Sequence, residues 1–292
     1  MKNSNDLKKG IHFLNKNGIQ VKKITKLTEG ILNSNYLIND KYVLKIISFT
    51  NFYSLTKEKI ILQNKLADLN FSSKYLFYDL DQKLFVSKFI PNLKSIDDNK
   101  LNYLQIEKII NTIKIFKNWK IDNLKELNYS KFLSSFRLRI SPKDRLYFQK
   151  IENSKLLDLP KELSHFDLVK NNMLFDNEGN FYLLDFEFAS YLPKYFDLSS
   201  LLSENEFSKS TEELIINTYF KDDNKSKEFY LTYKDEYFVI LDLLWYHWAK
   251  YNATFNNEKE KIFNDIASLK KKDLFKRLNS LKFFEGFSTN IN

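Results

Sequence analysis

Residues 165 to 188, HFDLVKNNMLFDNEGNFYLLDFEF, constrain the fold of this chain more than any other stretch. The apolar runs NMLF and FYLLDFEF lie on each side of the polar turn DNEGN, a pattern that predicts two short strands in a hairpin. Asp167 and Asn172 precede the hairpin and Asp185 stands at its far end, so the turn should fold these three side chains toward one point. Acidic side chains are costly to hold close together unless a positive charge lies between them. The sequence therefore predicts a cation site beside the hairpin.

The residue types at this point match the needs of magnesium-dependent phosphoryl transfer. In that reaction one Asp accepts the proton of the attacking hydroxyl, while an Asn and a second Asp hold magnesium on the nucleotide phosphates. One carboxylate and one amide suffice, because Mg²⁺ takes hard oxygen ligands and few protein groups. Taken singly, an Asp at the start of a loop is usually a cap and Asn-Asn is usually a turn, so the prediction depends on their occurring together. His165 is expected to brace the loop by hydrogen bonding rather than to perform acid–base chemistry.

The pattern H-x-D-x-x-x-x-N, followed by an apolar strand and D-F-E, resembles the aminoglycoside phosphotransferase and choline kinase group, relatives of the protein kinases. The resemblance is closest to the bacterial choline kinases. It covers most of the chain and is strongest at residues 165 to 204. It implies that Asp167 is the catalytic base, that Asn172 and Asp185 are magnesium ligands, and that ATP is the phosphoryl donor.

The same resemblance implies an α+β, two-lobed protein-kinase-like fold. A small β-rich N-terminal lobe would span residues 1–91, and a larger, mainly helical C-terminal lobe would span residues 92–292. Hydrophobic patterning agrees, because β-rich runs flank the turns at 39–40 and 81–82. Pro91 and the polar stretch after it place the boundary between the lobes. Helices are predicted within 54–70, over 100–119 and about 129–151, and over most of the chain from residue 195.

A kinase of this kind needs a lysine on a strand to contact the nucleotide phosphates and a helical glutamate to hold that lysine. The run YVLKII places Lys45 in an apolar strand, where a charge needs a reason. Glu58 lies thirteen residues further on, in the next predicted helix, and Glu29 competes with it for this role. The segment VSKFIPN, residues 86–92, falls where the hinge of such kinases passes the adenine.

The loop that would cover the phosphates is TEGILNSNY, residues 28–36. It contains only Gly30 and lacks the G-x-G-x-x-G pattern, so it is a weak signal by itself. Asn33, Ser34 and Asn35 are expected to present backbone N–H groups and side-chain donors to phosphate instead.

Trp245 and Trp248 lie three residues apart on a predicted helix and therefore on one face of it. Such a pair either fills the core or walls a site for a cation, because indole is the best aromatic partner for a quaternary ammonium. Choline kinases carry W-x-x-W on a late helix, paired with acidic residues that follow the D-F-E strand. By this resemblance, Glu187 and Glu204 place negative charge near the ammonium of choline, whose hydroxyl is phosphorylated to phosphocholine. Asp197 is expected to anchor the loop by accepting backbone N–H groups.

Other acceptors and other functions stay open. Ethanolamine, thiamine and other small alcohols compete with choline as the substrate. An aminoglycoside is less favoured, because residues 258–282, where such kinases need acidic groups for a polycationic substrate, are predominantly basic. A protein kinase is disfavoured because no A-P-E follows Asp185. The alternatives to an enzyme are a catalytically inactive nucleotide-binding protein and a basic protein that binds an anionic surface through its C-terminal helix.

Composition narrows these interpretations further. The formal net charge is +9, but the lysines are spread along the chain without a dense basic arm, so we expect no nucleic-acid partner. The absence of cysteine excludes disulfides, thiolate nucleophiles and Cys-ligated metal sites. The first 18 residues lack the apolar segment of a secretory signal, and the most apolar run, residues 237–249, is too short for a membrane span. We expect a cytoplasmic protein without stable membrane insertion, whose partners are ATP and a small-molecule substrate; the sequence predicts no oligomeric state.

Overall fold

The β-rich runs of the first ninety residues pair into one antiparallel sheet. The computed structural model describes residues 2–27, 33–47, 55–98, 100–127, 149 and 153–278. The strands in these residues are β1 (Ile24–Leu27), β2 (Asn33–Ile38), β3 (Tyr42–Ile47), β4 (Tyr75–Asp79), β5 (Leu84–Lys88), β6 (Lys94–Ser95), β7 (Lys161–Ser164), β8 (Met173–Phe175), β9 (Phe181–Leu183) and β10 (Ser190–Pro193). The helices are α1 (Lys2–Lys16), α2 (Lys57–Asp68), α3 (Tyr103–Phe116), α4 (Phe196–Ser203), α5 (Lys209–Phe220), α6 (Asn224–Phe255) and α7 (Glu260–Leu278). The first five strands form the sheet, in the order β1-β2-β3-β5-β4.

The chain forms two compact units, each built from two separate segments. Unit 1 comprises Met1–Leu124 and Val169–Ala189, and unit 2 comprises Lys125–Leu168 and Ser190–Asn292. Contacts therefore group the chain differently from the sequence-based boundary at residue 91, which stays a prediction. The predicted helix at 129–151 and the segment 28–32 lie outside the described residues, apart from residue 149.

Alternation along β3 determines which way each of its side chains points. Leu44 and Ile46 pack with Leu14 of α1 on one face of the sheet. Gly10 allows α1 to approach this closely, since a Cβ at that position would lie 2.7 Å from a Leu44 methyl carbon. Successive strand residues face opposite sides, so Lys45 lies on the other face of the sheet. Strand alternation thus turns the lysine away from α1.

The two predicted turns, one before β3 and one before β5, are confirmed. Asn39 and Asp40 both have positive φ, 53° and 57°, as a tight two-residue hairpin between twisted strands requires. The turn at residues 80–83 likewise joins β4 to β5. Helix α2 confirms the helical spacing within 54–70, and α3 begins at a capping box between Asn102 and Gln105.

The predicted acidic hairpin is also present, within unit 1. Strands β8 and β9 pair antiparallel with Met173 opposite Leu183, and β6 adds a third strand to β8. The Asp176 carboxylate holds the turn by accepting the backbone N–H groups of Glu178 and Asn180. The second strand ends earlier than the run FYLLDFEF predicts, because Asp185 adopts a left-handed conformation with φ 64° and residues 186–188 form a 3₁₀ turn.

Unit 2 is mainly helical, as predicted for the chain from residue 195. Its two-stranded sheet joins β7 to β10, and α4 follows directly. Helices α6 and α7 run antiparallel, because Trp248 near the end of α6 meets Phe263 near the start of α7, while Asp242 meets Arg277. None of the described helices is long and apolar enough to cross a membrane.

Candidate active site

Lys45 is held by the D-F-E turn in unit 1. Its side chain is only 9% exposed, and its Nζ lies 2.9 Å from Asp185 Oδ1 and 2.5 Å from Glu187 Oε1. Burial by itself would lower the pKa of Lys45, but the Asp185 and Glu187 carboxylates raise it above its usual value. The lysine is therefore a permanent cation at this point of unit 1, as contact with phosphate requires.

Glu187 is the residue through which three elements of unit 1 are joined. Its buried carboxylate accepts a hydrogen bond from Asn33 Nδ2 at 2.7 Å in addition to the Lys45 contact. Its backbone carbonyl accepts a hydrogen bond from Lys59 Nζ on α2. Burial and the neighbouring Asp185 raise the pKa of the Glu187 carboxyl, and Lys45 opposes that shift. Strand β2, strand β3 and helix α2 are thereby tied to one residue.

The partners of Lys45 differ from the expected ones. Glu187, expected beside the substrate ammonium, forms an ion pair with Lys45. Glu58 lies on α2 as predicted, next to the buried Lys59. Its predicted pairing with Lys45 stays a prediction.

The expected phosphate loop is shorter than predicted. Asn33, Ser34 and Asn35 belong to strand β2 rather than to a loop, because they pair in register with Ile47, Ile46 and Lys45 of β3. The side chain of Asn33 donates a hydrogen bond to Glu187, so Asn33 braces the structure around Glu187. The remaining loop residues, 28–32, lie outside the described part of the chain.

Asn172 and Asp185 flank the open end of the acidic hairpin. The Asn172 carbonyl accepts the backbone N–H of Leu184 at 2.9 Å, which places Asn172 beside the residue that precedes Asp185. Asn172 is half-buried and the Asp185 side chain is 36% exposed, so both keep access to solvent. One amide and one carboxylate form a hard-oxygen set that fits Mg²⁺ supported by nucleotide phosphates. Among the described residues, no group of three or more Asp, Glu or His side chains is placed to hold a metal without such support.

The loop carrying Asp167 belongs to unit 2 and is fixed by the buried Asp197. The two oxygens of Asp197 accept the backbone N–H groups of His165 at 3.0 Å and Phe166 at 2.8 Å. Phe166 has φ 71°, a left-handed conformation that a bulky residue adopts only when its surroundings enforce it. Nδ1 of the fully buried His165 accepts the N–H of Asp167 at 3.3 Å. The expected anchoring by Asp197 and bracing by His165 are both present.

Two further polar residues that the sequence analysis did not select complete this anchor. The Ser200 hydroxyl accepts the backbone N–H of Leu168 at 3.1 Å, and Asn205 Nδ2 donates to the Leu168 carbonyl at 2.8 Å. Both are buried, as is Asp197, although they lie in the apolar stretch FDLSSLLSEN. Polar side chains inside an apolar helix were the available signal, because buried polar groups need partners.

The two tryptophans meet on α6, but they differ in exposure. Their rings form a perpendicular pair with centroids 5.7 Å apart. Trp245 is 5% exposed and packs on Phe166, with centroids 5.5 Å apart, so it is part of the core of unit 2. Trp248 is half-buried and contacts the ring of Phe263. Trp248 is thus the more accessible of the two indoles.

Glu204 belongs to a cluster of four charged side chains on α6, α7 and the end of α4. Lys270 Nζ lies 2.7 Å from Glu204 Oε1 and 3.7 Å from Asp242 Oδ1, and Arg277 lies 2.5 Å from Asp242 Oδ2. Glu204 and Lys270 have side chains only 9% and 8% exposed. Burial raises the pKa of Asp242 to about 7, against the opposing effects of Arg277 and Lys270. Glu204, expected near a substrate ammonium, has an internal cation as its partner.

The predicted site residues therefore fall into two groups. Unit 1 brings together Lys45, Asp185, Glu187 and Asn33, with Asn172 at the same hairpin end and Glu58 on α2. Unit 2 contains Asp167, Glu204, Trp245 and Trp248. Lys59 and Lys270 contact predicted site residues and were missed, because each looked like one more surface lysine in a lysine-rich sequence.

The chain is similar to known proteins in both sequence and fold. Residues 130–230 match the model of the phosphotransferase enzyme family. Protein LicA of Haemophilus influenzae is 23% identical over an alignment of 303 positions that covers 92% of this chain and 83% of that protein. The solved structure of choline kinase LicA from Streptococcus pneumoniae has a TM-score of 0.75 at 20% identity, covering 94% of this chain and 99% of that chain. This chain has the same fold as that solved structure.

Further solved structures extend the likeness. A choline/ethanolamine kinase family protein from Mesorhizobium loti has a TM-score of 0.69 at 14% identity, covering 90% of each chain. The fold also occurs in LicA in complex with AMP and in the ADP-bound aminoglycoside phosphotransferase APH(2'')-Ib, with TM-scores of 0.66 and 0.60. The expected resemblance and the α+β, protein-kinase-like fold class are confirmed. Together the family match and these relatives support a phosphotransferase.

Proposed function

We propose that this chain is an ATP- and Mg²⁺-dependent kinase that phosphorylates the hydroxyl of choline. The observation that carries the proposal is the buried Lys45 held by Asp185 and Glu187 of the D-F-E turn. A buried lysine bound by two carboxylates beside a hairpin that also carries Asn172 is suited to receive nucleotide phosphates. The phosphotransferase match and the kinase relatives support the same reaction class.

Each proposed role follows from the chemistry of the side chain. The acceptor oxygen attacks the γ-phosphorus, the bond from that phosphorus to the β,γ-bridging oxygen breaks, and ADP leaves. Asp167 takes the proton of the acceptor hydroxyl, and Lys45 neutralises phosphate charge. Asn172 and Asp185 would hold Mg²⁺, which supplies positive charge to the phosphate oxygens when bound.

The internal ion pairs favour choline over ethanolamine. The two carboxylates expected near the substrate ammonium, Glu187 and Glu204, are paired with Lys45 and Lys270. A primary ammonium depends on hydrogen-bond acceptors, whereas a quaternary ammonium offers no N–H and is recognised through aromatic faces. Trp248 supplies such a face, so the recognition left to this site suits a quaternary ammonium better.

A phosphoryl-transfer screen tests the reaction. The purified chain is incubated with radiolabelled ATP and choline, ethanolamine, thiamine or kanamycin, with Mg²⁺ or with EDTA. We expect Mg²⁺-dependent transfer to choline at the highest kcat/KM. An Asp167→Ala variant should lose about 10²–10⁴-fold in kcat with nucleotide binding nearly intact. Normal turnover by that variant would refute the assignment of the base, and transfer to none of the four would refute the kinase proposal for these acceptors.

A tryptophan variant tests the choice of substrate. Trp248→Ala should raise the KM for choline roughly two- to thirtyfold, the effect of one ring–cation contact, while KM for ethanolamine and ATP changes less. Tyr246→Ala is the matched control, because Tyr246 is a half-buried aromatic neighbour on the same helix. Equal losses for the two amines, together with a lower Tm, would mean that Trp248 only fills the core. Trp245 is unsuited to this test because it is buried against Phe166.

A further inference from the structure

Lys270 is paired with Glu204, the carboxylate expected near a cationic substrate. Its Nζ lies 2.7 Å from Glu204 Oε1, and both side chains are more than nine-tenths buried. In a partly dehydrated environment of this kind, an ammonium so close to a carboxylate cancels most of the field that the carboxylate would exert on a third charge. To another cation, the pair therefore behaves as a nearly neutral group.

This neutral pair lies along the same seam between α6 and α7 as the tryptophans. Asp242, 3.7 Å from Lys270, is three residues before Trp245 on α6. Phe263, whose ring meets Trp248, is seven residues before Lys270 and therefore on the same face of α7. The aromatic part of the seam and its charged part are therefore about one to two helical turns apart.

The four charges of the cluster are also balanced among themselves. Arg277 neutralises Asp242 at 2.5 Å, and Lys270 neutralises Glu204. Arg277 is the more exposed base, with its side chain 21% exposed against 8% for Lys270. Removal of Lys270 would thus leave the Asp242 pair intact and uncover one negative charge, that of Glu204.

We infer that Lys270 is a specificity-determining residue: its ammonium screens Glu204, so that the acceptor site selects its substrate by aromatic contact rather than by charge. The inference rests on the proposed kinase function, because it places the acceptor on the Trp248 side of unit 2. It predicts that the enzyme gains little from the positive charge of choline. It also predicts that replacing one lysine converts a shape-selective site into a charge-selective one.

Binding measurements on Lys270→Met test this directly. Tetramethylammonium, choline and the neutral choline isostere 3,3-dimethylbutan-1-ol are titrated by calorimetry and by quenching of tryptophan fluorescence. The wild type should bind choline and the neutral isostere within about threefold of each other. Lys270→Met should bind both cations about fivefold more tightly, the effect of one unit charge across roughly 8 Å at an effective dielectric constant of about 40, and the isostere unchanged. Lys270→Arg should resemble the wild type, and Lys272→Met controls for loss of one exposed charge from α7.

A double variant keeps the inference testable if Lys270→Met does not fold. Glu204→Gln combined with Lys270→Met removes both charges and should bind the cations as the wild type does. Weaker cation binding by the double variant would mean that Glu204 holds the ammonium itself, and would overturn the inference. Unchanged cation binding by a folded Lys270→Met variant would also overturn it. These titrations measure binding and need no turnover. A negative phosphoryl-transfer screen would therefore count against the proposed function, whereas the titrations alone would decide the role of Lys270.

Discussion

The substitution Asp197→Asn tests how the Asp197 carboxylate affects two properties: the stability of the protein and the geometry of the loop that carries Asp167. The Asp197 carboxylate, 1% exposed, accepts two backbone N–H groups, those of His165 and Phe166. An amide has one oxygen, so one N–H loses its acceptor and faces an NH₂ group. Loss of a hydrogen bond to a charged group costs about 1.5–3 kcal/mol, and Phe166 is also held in a left-handed conformation worth roughly 1–2 kcal/mol of strain.

The opposing contribution is the cost of burying the charge. Burial raises the pKa of Asp197 to about 7, although the Phe166 and His165 N–H groups favour the ionised form. Against an unfolded value near 3.9, that shift corresponds to about 4 kcal/mol of destabilisation when the group is ionised in both states. The asparagine lacks this cost. We therefore expect the free energy of unfolding at pH 8 to change by less than about 2 kcal/mol, while kcat falls roughly ten- to a hundredfold and KM for ATP stays within about twofold.

The pH dependence of this substitution has a defined sign. Because the folded pKa is raised, wild-type stability from this group is greatest below pH 4 and is lost as pH rises from about 4 to about 7. The stability difference between variant and wild type should therefore shift in favour of the Asp197→Asn variant over that window, as measured by urea unfolding at several pH values. Ser199→Ala is the control, because this buried α4 hydroxyl bonds Tyr195 and lies near the Tyr230 hydroxyl instead. Full activity in Asp197→Asn, or an equal loss of kcat in Ser199→Ala, would refute the anchoring role.

Three further predictions concern single side chains. Lys59→Met removes the donor to the buried Glu187 carbonyl and should lower the free energy of unfolding by about 1–3 kcal/mol. It should also raise KM for ATP. In urea unfolding and steady-state assays, the control variant Lys57→Met, at an exposed position of the same helix, should be unaffected. Asp185→Ala should abolish the Mg²⁺-dependent part of nucleotide binding in calorimetry, and an equal loss in EDTA would contradict its role as a ligand. Burial lowers the pKa of His247 to about 4, so the unfolded chain takes up a proton before the folded protein does as pH falls below about 6.5. The free energy of unfolding of the wild type should therefore fall by about 2 kcal/mol by pH 5, and that of His247→Phe should not. Parallel changes of the two proteins with pH in urea unfolding would contradict this.

The elements that sequence predicts correctly are those fixed by local chemistry. The hairpin, the turns at 39–40 and 81–82, and helix α2 follow from residue spacing and turn residues over fewer than twenty positions. Asp197 was also predictable in its role, because a buried carboxylate beside a loop needs N–H donors. The predicted strand extends beyond β9 because Leu184, Phe186 and Phe188 alternate with acidic residues as they would in a strand. The left-handed conformation of Asp185 ends the strand instead.

The partners of the long charged side chains depend on tertiary structure. The sequence offers Glu58 and Glu29 as counter-ions for Lys45, and the path of the chain places Glu187 on the lysine. Lys270 lies in the run SLKKKD, which reads as a solvated basic face. Of its three lysines, Lys270 turns inward on the face of α7 that also carries Phe263. The pattern of charges alone does not distinguish Lys270 from its neighbours.

The contacts around Lys45 also determine when unit 1 can fold. The hydrogen bonds from Lys45 to Asp185 and from Asn33 to Glu187 join residues 140 and 154 positions apart. Such distant pairings are slow to form, because the loop between them must close before its contacts contribute free energy. On the ribosome, the N-terminal sheet is therefore complete in sequence long before its central lysine has a counter-ion, and an unpaired buried ammonium is strongly destabilising. A fragment of residues 1–124 should accordingly show weak hydrogen-exchange protection in β3, and addition of a peptide spanning 165–189 should increase it; full protection in the fragment alone would show that the sheet forms without its acidic partner.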